Sequence, residues 1–343
     1  MSTLSDVAAL AGVSISAVSR VLSNAPSARV SAETRKRIHG AAAELEYRPN
    51  FAARALKSSR TNVIALVVPD LTNAIFAELM RGVEAEAMKR NYMVLLARAE
   101  GIPDAEESIP RLVGEGRVDG VLVQVGDKMR SEDLTTLLGG RVPAVLINST
   151  HRGHVGSVAL EDERATRMAT EHLIGLGHRR IGLINGFPES DTADRRRQGF
   201  LAAMTSAGLE APGSAMTALG YEPDQGRVAL RQLAAAGELP TALVAANLNA
   251  AHGVLLEARA LGIEVPKGLS IVAIHDAWTA ASTWPPLTTV RLPLYELGRA
   301  AVGSLIDRIV TGSVADSTVT DPAPILMVRE STSAPREGTM NQL

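Results

Sequence analysis

The chain has 343 residues, a formal net charge of −2 and no cysteine. Its length calls for more than one domain, and the missing cysteine excludes disulfides, thiolate metal sites and a cysteine nucleophile. No apolar run approaches the length of a membrane span and Met1–Asp6 carries no basic, apolar leader, so no membrane partner and a cytoplasmic location are expected.

Residues 3–22 read as two short helices and a turn. Leu4, Val7, Ala8 and Ala11 recur at helical spacing, and Thr3 with Asp6 forms a capping box. Gly12 ends this helix, because glycine takes the left-handed conformation after a last turn without strain. Ser14 caps the second helix, which turns Val18, Val21 and Leu22 inward and keeps Ile15, Ser16, Ser19 and Arg20 outward. Small polar side chains and an arginine on the second helix describe a helix-turn-helix, whose second helix lies in the DNA major groove. A bare helical hairpin is the alternative.

Charge favours the first reading. Residues 1–60 hold nine Lys and Arg against four acids, so 9 − 4 = +5, and the remainder carries −2 − 5 = −7. A basic head on an acidic body suits contact of the head alone with a polyanion. Ser31 caps a third helix with the inner stripe Ile38, Ala41, Ala42 and Leu45, while Arg35, Lys36 and Arg37 start its exposed side. Pro49 breaks it, and Asn50 can cap a fourth.

From Asn62 onward, strand-like runs alternate with amphipathic helices. The strands are Val63 to Val68, Tyr92 to Ala97, Gly120 to Val125, Ala144 to Asn148, Arg180 to Asn185, Ala242 to Ala246 and Leu269 to Ile274. Near-continuous apolar strands between helices indicate parallel sheets covered on both faces, and this many indicate two doubly wound lobes.

Enzyme signatures fail. Gly114 and Gly116 lack a third glycine at dinucleotide spacing, and Gly177 to Gly182 continues with Leu-Ile rather than Lys-Ser/Thr. Neither Gly-x-Ser-x-Gly nor His-Glu-x-x-His occurs, so no catalytic residue, cofactor or metal site is expected.

The motifs Asp-Val-Ala-x-x-Ala-Gly-Val-Ser, Val-Ser-Arg-Val-Leu, Tyr-x-Pro-Asn and Ala-Arg-x-Leu stand in the first 60 residues. Val-Pro-Asp-Leu-x-Asn-x-x-Phe (68–76), Arg-x-x-Gly-Phe (196–200), Pro-Leu-Thr-Thr-Val-Arg (286–291) and Val-Arg-Glu-Ser-Thr (328–332) follow. Together they resemble the LacI/GalR family of bacterial transcription regulators across nearly the whole chain. The resemblance implies a small all-α helix-turn-helix head plus an α/β body of two doubly wound parallel-sheet lobes, periplasmic-binding-protein-like. It divides the chain into a head at 1–48, a hinge helix and linker at 49–60, an N-terminal lobe at 61–161 and 291–320, and a C-terminal lobe at 162–290 and 321–332. The tail at 333–343, with little to bury, is expected to be disordered. A homodimeric repressor follows, bound to double-stranded operator DNA and controlled allosterically by a small-molecule effector: a sugar, sugar acid or sugar phosphate. The alternative is a solute-binding protein of the same two-lobed fold without DNA binding, which has no use for residues 1–60.

Ile15, Ser16, Ser19 and Arg20 are the expected base-reading residues, Arg20 as a two-pronged contact to guanine. The resemblance adds the hinge residues Asn50, Arg54 and Leu56, with Leu56 a wedge in the minor groove. The expected effector cleft gathers Asn73, Phe76, Gln124, Asn148, Arg196, Asn247 and His275. Here the chain departs from the family, which often has an acid at position 275 and Asn-Asp where Asn247-Leu248 stands. Histidine beside Arg196 favours an effector bearing a carboxylate, a phosphate or several acceptor oxygens over a plain hexose, and an anionic one is expected to bind more tightly as pH falls through about 6.5.

Overall fold

The computed structural model describes residues 2–22, 30–48, 60–69, 73–98, 116–124, 142–149, 155–237 and 239–336. It divides into a unit up to Thr61 and a second from Asn62 onward. Asn50, Arg54 and Leu56 lie outside the described residues.

Among its described residues the head has three helices, α1 (Leu4–Ala11), α2 (Ile15–Leu22) and α3 (Ala32–Glu44). Thr3 accepts from the Asp6 amide and the Asp6 carboxylate accepts from the Thr3 amide, so two orphan donors of the first turn are satisfied. Gly12 closes α1 at φ 62°. The Ser14 hydroxyl accepts from the Ala17 amide at 3.2 Å, and α2 leaves α1 at 106°. Val7, Val18, Val21 and Ile38 are fully buried and form the shared core. Arg37 is exposed, as expected, yet its head group is engaged. Its guanidinium reaches back to donate to the Ala11 and Gly12 carbonyls, the free acceptors at the C-terminus of α1.

The body begins with β1 (Val63–Val68), α4 (Phe76–Lys89), β2 (Met93–Arg98), β3 (Gly120–Gln124), β4 (Ala144–Ile147) and β5 (Gly156–Leu160). It continues with α5 (Asp162–Gly175), β6 (Ile181–Asn185), α6 (Asp191–Ser206), β7 (Met216–Ala218), α7 (Pro223–Ala235), β8 (Ala242–Ala245) and α8 (Leu248–Ala260). The last elements are β9 (Ser270–Ile274), α9 (Trp278–Ala281), β10 (Thr288–Arg291), α10 (Leu294–Thr311), β11 (Asp316–Val319) and β12 (Ile325–Met327).

Among the described residues these strands form two six-stranded sheets. The first runs β11-β5-β4-β3-β1-β2 and is parallel throughout. The second runs β12-β10-β9-β8-β6-β7 and is parallel except for β12, which pairs antiparallel with β10. Buried Val, Ile, Leu and Ala fill β1, β3, β4, β6, β8 and β9, as helices on both faces require. Among the described strands the chain changes sheets three times: between β5 and β6, between β10 and β11, and between β11 and β12.

The strand order reverses between β1 and β3 in one sheet and between β6 and β8 in the other. Such switch points open a crevice beyond the carboxyl ends of the strands. Gln124, Asn185 and Asn247 stand at those ends.

The expectation of a disordered tail fails for residues 333–336. The Ser333 amide donates to the Ser270 hydroxyl at 3.1 Å, and the Ser333 carbonyl accepts from His178 Nε2 at 2.9 Å. Just before it, Ser331 is fully buried, bonded to the Thr288 amide and the Ile271 carbonyl. Backbone and hydroxyl groups tie the segment down without apolar burial, so hydrophobicity carries no sign of it.

Candidate functional site

In the head, α2 buries Val18 and Val21 and leaves Ile15 at 50 % exposure with Ser16 and Arg20 also exposed; Ser19 is half-buried. Arg20 Nε donates to the Ser16 carbonyl at 3.2 Å, so the side chain lies along the outer face of the helix. One face of α2 thus carries hydroxyls, a guanidinium and an aliphatic group, the groups that read donors, acceptors and methyls on base edges.

In the body the sequence-expected residues divide into two sets. Arg196, Asn247 and His275 converge in the second lobe. Arg196 is buried, with Nη1 donating to the Ala246 carbonyl at 2.6 Å and Nη2 to His275 Nε2 at 2.9 Å. Its Nε donates to Asp162 Oδ1 at 2.8 Å. One guanidinium therefore ties together the ends of β8 and β9 and the start of α5. It reaches there because α6 approaches α5 closely at Gly199, where a Cβ would stand 2.1 Å from the Glu163 carbonyl oxygen. Asn247 caps α8 through its Oδ1, which accepts from the Ala250 amide at 2.8 Å.

Asn73, Phe76, Gln124 and Asn148 belong to the first lobe. Phe76 opens α4 and is 5 % exposed within the lobe's apolar core, and Asn73 Oδ1 accepts from the Ile75 amide at 3.2 Å. Gln124 ends β3, half-buried. Asn148 receives the second lobe: its carbonyl accepts from Thr192 Oγ1 at 2.8 Å and from Arg195 Nη2 at 3.3 Å. Asn148 (φ 49°) and His275 (φ 69°) both sit in the left-handed region, conformations that persist where neighbours over-determine them.

The electrostatics correct the expectation of a cationic site. Burial first, then the Arg196 charge, push the His275 imidazole down to about 3, against an opposing pull from Asp162. Burial alone pushes the Asp162 carboxyl up, but the Arg196 and Arg195 guanidinium groups overcome it and hold it below the usual carboxylate range. Arg195 also pairs with Asp191 at 3.0 Å. Burial and the Arg196 charge thus keep His275 neutral, and the expected tightening of an anion near pH 6.5 has no support from this histidine, while Arg195 and Arg196 are already balanced by Asp162 and Asp191.

Asn185 Oδ1 and His275 Nδ1 are buried here with no hydrogen-bond partner among the described residues. Sequence reasoning missed Asp162 and Tyr221. The Tyr221 ring covers Arg196 with 5.5 Å from guanidinium carbon to ring centre, and it fills the space that a Cβ on Gly186 would occupy. The available signal was the run Arg195-Arg196-Arg197, since inward-facing cations demand acids on a neighbouring element. Among the described residues no group of three or more His, Asp or Glu is placed to hold a metal ion.

Residues 3–50 match the family of bacterial regulatory proteins, lacI family, and residues 170–332 match a periplasmic binding protein-like domain. The HTH-type transcriptional repressor PurR of Vibrio vulnificus (strain CMCP6) is 30 % identical over 96 % of this chain and 98 % of its own. A LacI family transcriptional regulator from Mycobacterium smegmatis is 44 % identical, with a TM-score of 0.76 over 80 % of this chain and 100 % of that one. The lac repressor dimer bound to operator and the anti-inducer ONPF is 26 % identical, with a TM-score of 0.81 over 97 % of this chain and 99 % of that one. PurR and the lac repressor are repressors, not enzymes, and their matches span 96 % and 97 % of this chain, including the DNA-binding head that a solute-binding protein lacks. The chain belongs to the lacI family of bacterial regulatory proteins, DNA-binding transcription repressors with an effector-binding body.

Proposed function

We propose that this repressor acts in the cytoplasm as a homodimer on a pseudo-palindromic operator and is controlled by a small, polar, uncharged effector. Head (1–48), hinge (49–60), first lobe (61–161 and 291–320) and second lobe (162–290 and 321–332) divide the work. Ile15, Ser16, Ser19 and Arg20 read bases; Asn50, Arg54 and Leu56 belong to the hinge; Asn73, Phe76, Gln124, Asn148, Arg196, Asn247 and His275 surround the effector. The observation that carries the effector class is the neutral His275 beside an Arg196 already paired with Asp162. A neutral imidazole whose Nε2 accepts keeps its proton on Nδ1, and Asn185 Oδ1 is an acceptor, so the pair suits a ligand bearing both an acceptor and a donor. Hydroxyls of a neutral sugar provide both. A carboxylate or phosphate brings a charge into a balanced, buried site, which costs free energy.

A gel-shift assay with DNA from upstream of the chain's own gene, against random duplex, tests the repressor reading; equal retardation of both would count against it. Calorimetry across neutral sugars, sugar acids and sugar phosphates tests the effector class. Tight binding of a charged member alone overturns it.

A further inference from the structure

Arg195 and Arg196 are consecutive on α6, and successive helical residues point about 100° apart. Arg196 turns into the second lobe. Arg195 turns towards the first, where Nη1 donates to the Leu160 carbonyl at 2.9 Å and Nη2 to the Asn148 carbonyl at 3.3 Å. Leu160 ends β5 and Asn148 follows β4, so both acceptors belong to the first sheet. They are held ready, since Asn148 Oδ1 accepts from the Leu160 amide at 2.9 Å.

One carboxylate joins the two arginines. Asp162 is 0 % exposed, with Oδ2 2.7 Å from Arg195 Nη1 and Oδ1 2.6 Å from Arg196 Nη2. A buried anion left with one of two cations takes more from the one that remains, because ionised partners bind more strongly than neutral carbonyls. When Arg196 is drawn away from Asp162, the carboxylate gains a stronger hold on Arg195. The Leu160 and Asn148 carbonyls are the weaker acceptors and are the ones released.

We propose that Arg195 and Asp162 are positioning residues for the angle between the lobes: Arg195 latches the second lobe to the first, and Asp162 makes that latch depend on what holds Arg196. This goes beyond the effector reading and stands without it, since anything that moves Arg196 is felt at the latch.

The chain has no cysteine, so two introduced cysteines can carry spin labels at known places. Gln232→Cys lies exposed on α7 of the second lobe, and Val310→Cys lies on α10 over the first, where Val310 is 60 % exposed. The label-to-label distance is read by double electron–electron resonance on labelled protein diluted into an unlabelled excess. One narrow distribution is expected without further substitution. Arg195→Gln is expected to widen it about twofold. Arg196→Gln is expected to widen it as well, although Asp162, Ala246 and His275 all lie in the second lobe. The double variant is expected to be no wider than Arg195→Gln alone, because both changes act through one carboxylate. Arg197→Gln, whose partner is Asp194, serves as the control that leaves the width unchanged. Arg196→Lys keeps a cation beside Asp162 and is expected to restore the narrow distribution, which separates loss of the latch from loss of fold. An unchanged width in Arg195→Gln overturns the latch. Widening in Arg195→Gln but not in Arg196→Gln overturns the shared-carboxylate coupling, as does a Lys variant as wide as the Gln variant.

Discussion

Arg196 Nη2 stands 2.9 Å from His275 Nε2, and because a guanidinium only donates, the imidazole nitrogen facing it accepts. His275 therefore carries its proton on Nδ1 in the folded protein. Its folded value near 3 lies below the ordinary 6.5, so between these values the unfolded chain binds the extra proton. Stability contributed by this group is complete above the unfolded value and declines as pH falls, by at most about 1.4 kcal/mol per pH unit. His275→Asn removes that dependence. Urea midpoints of the two proteins are expected to lie furthest apart at pH 7 and to converge towards pH 5. A gap that widens on acidification would place the proton on the folded histidine and reverse the assignment.

At the outer face of α2, Arg20→Ala is expected to remove about 1–3 kcal/mol of discrimination per half-site. Salt-sensitive binding to random duplex persists through the remaining basic residues of the head. Titration of operator and random DNA at two salt concentrations separates the two effects. An equal loss on both duplexes assigns Arg20 to phosphate.

Arg37 closes the end of α1 from α3, with Nε 3.2 Å from the Ala11 carbonyl. Arg37→Ala leaves those carbonyls to water and is expected to cost the head about 1–2 kcal/mol. Native-state hydrogen exchange reads this locally: faster opening of α1 and α3 amides with unchanged protection in β1 and β6. Uniform change, or none, counts against the cap.

At Gly199 a methyl group meets the Glu163 carbonyl oxygen head-on, at 2.1 Å. Gly199→Ala must push α6 from α5 and is expected to destabilise the body by about 1–3 kcal/mol. The same displacement lifts Arg196 off Asp162. Thermal unfolding of the variant is expected to begin earlier, and a midpoint equal to that of the parent protein would show that the helices have room to part.

What was legible in the chain follows from burial. Val63–Val68 was readable to the residue because a strand covered on both faces must be apolar throughout. The strands β11, Asp-Ser-Thr-Val, and β7, Met-Thr-Ala, were not, since each is short and lies at a sheet edge with little to bury, and β5, Gly-Ser-Val-Ala-Leu, escaped although buried throughout because glycine and serine interrupt its apolar run. Arg196, Asn247 and His275 were named from motif positions, and Asn247 also announces itself as a helix cap. The pairing of Arg195 with Asp162 and Asn148 spans 33 and 47 residues, and nothing local in the sequence selects those partners. The neutral state of His275 was hidden for the same reason: its causes are burial in the folded lobe and, second, an arginine 79 residues away.

The three passages of the chain between the sheets also govern how the body can be assembled. Chain emerging as far as Leu287 carries β1 to β9, yet the first sheet lacks β11 and its covering α10, and the second lacks β10 and β12. Neither lobe is a continuous stretch that can be finished and set aside while synthesis proceeds, as domains ordinarily are at about 5–20 residues per second. The head, made first from local helix contacts, is free to fold early, whereas both lobes must wait for the same late segment and close together. A ribosome stalled within that last segment would therefore display a folded head and two incomplete sheets.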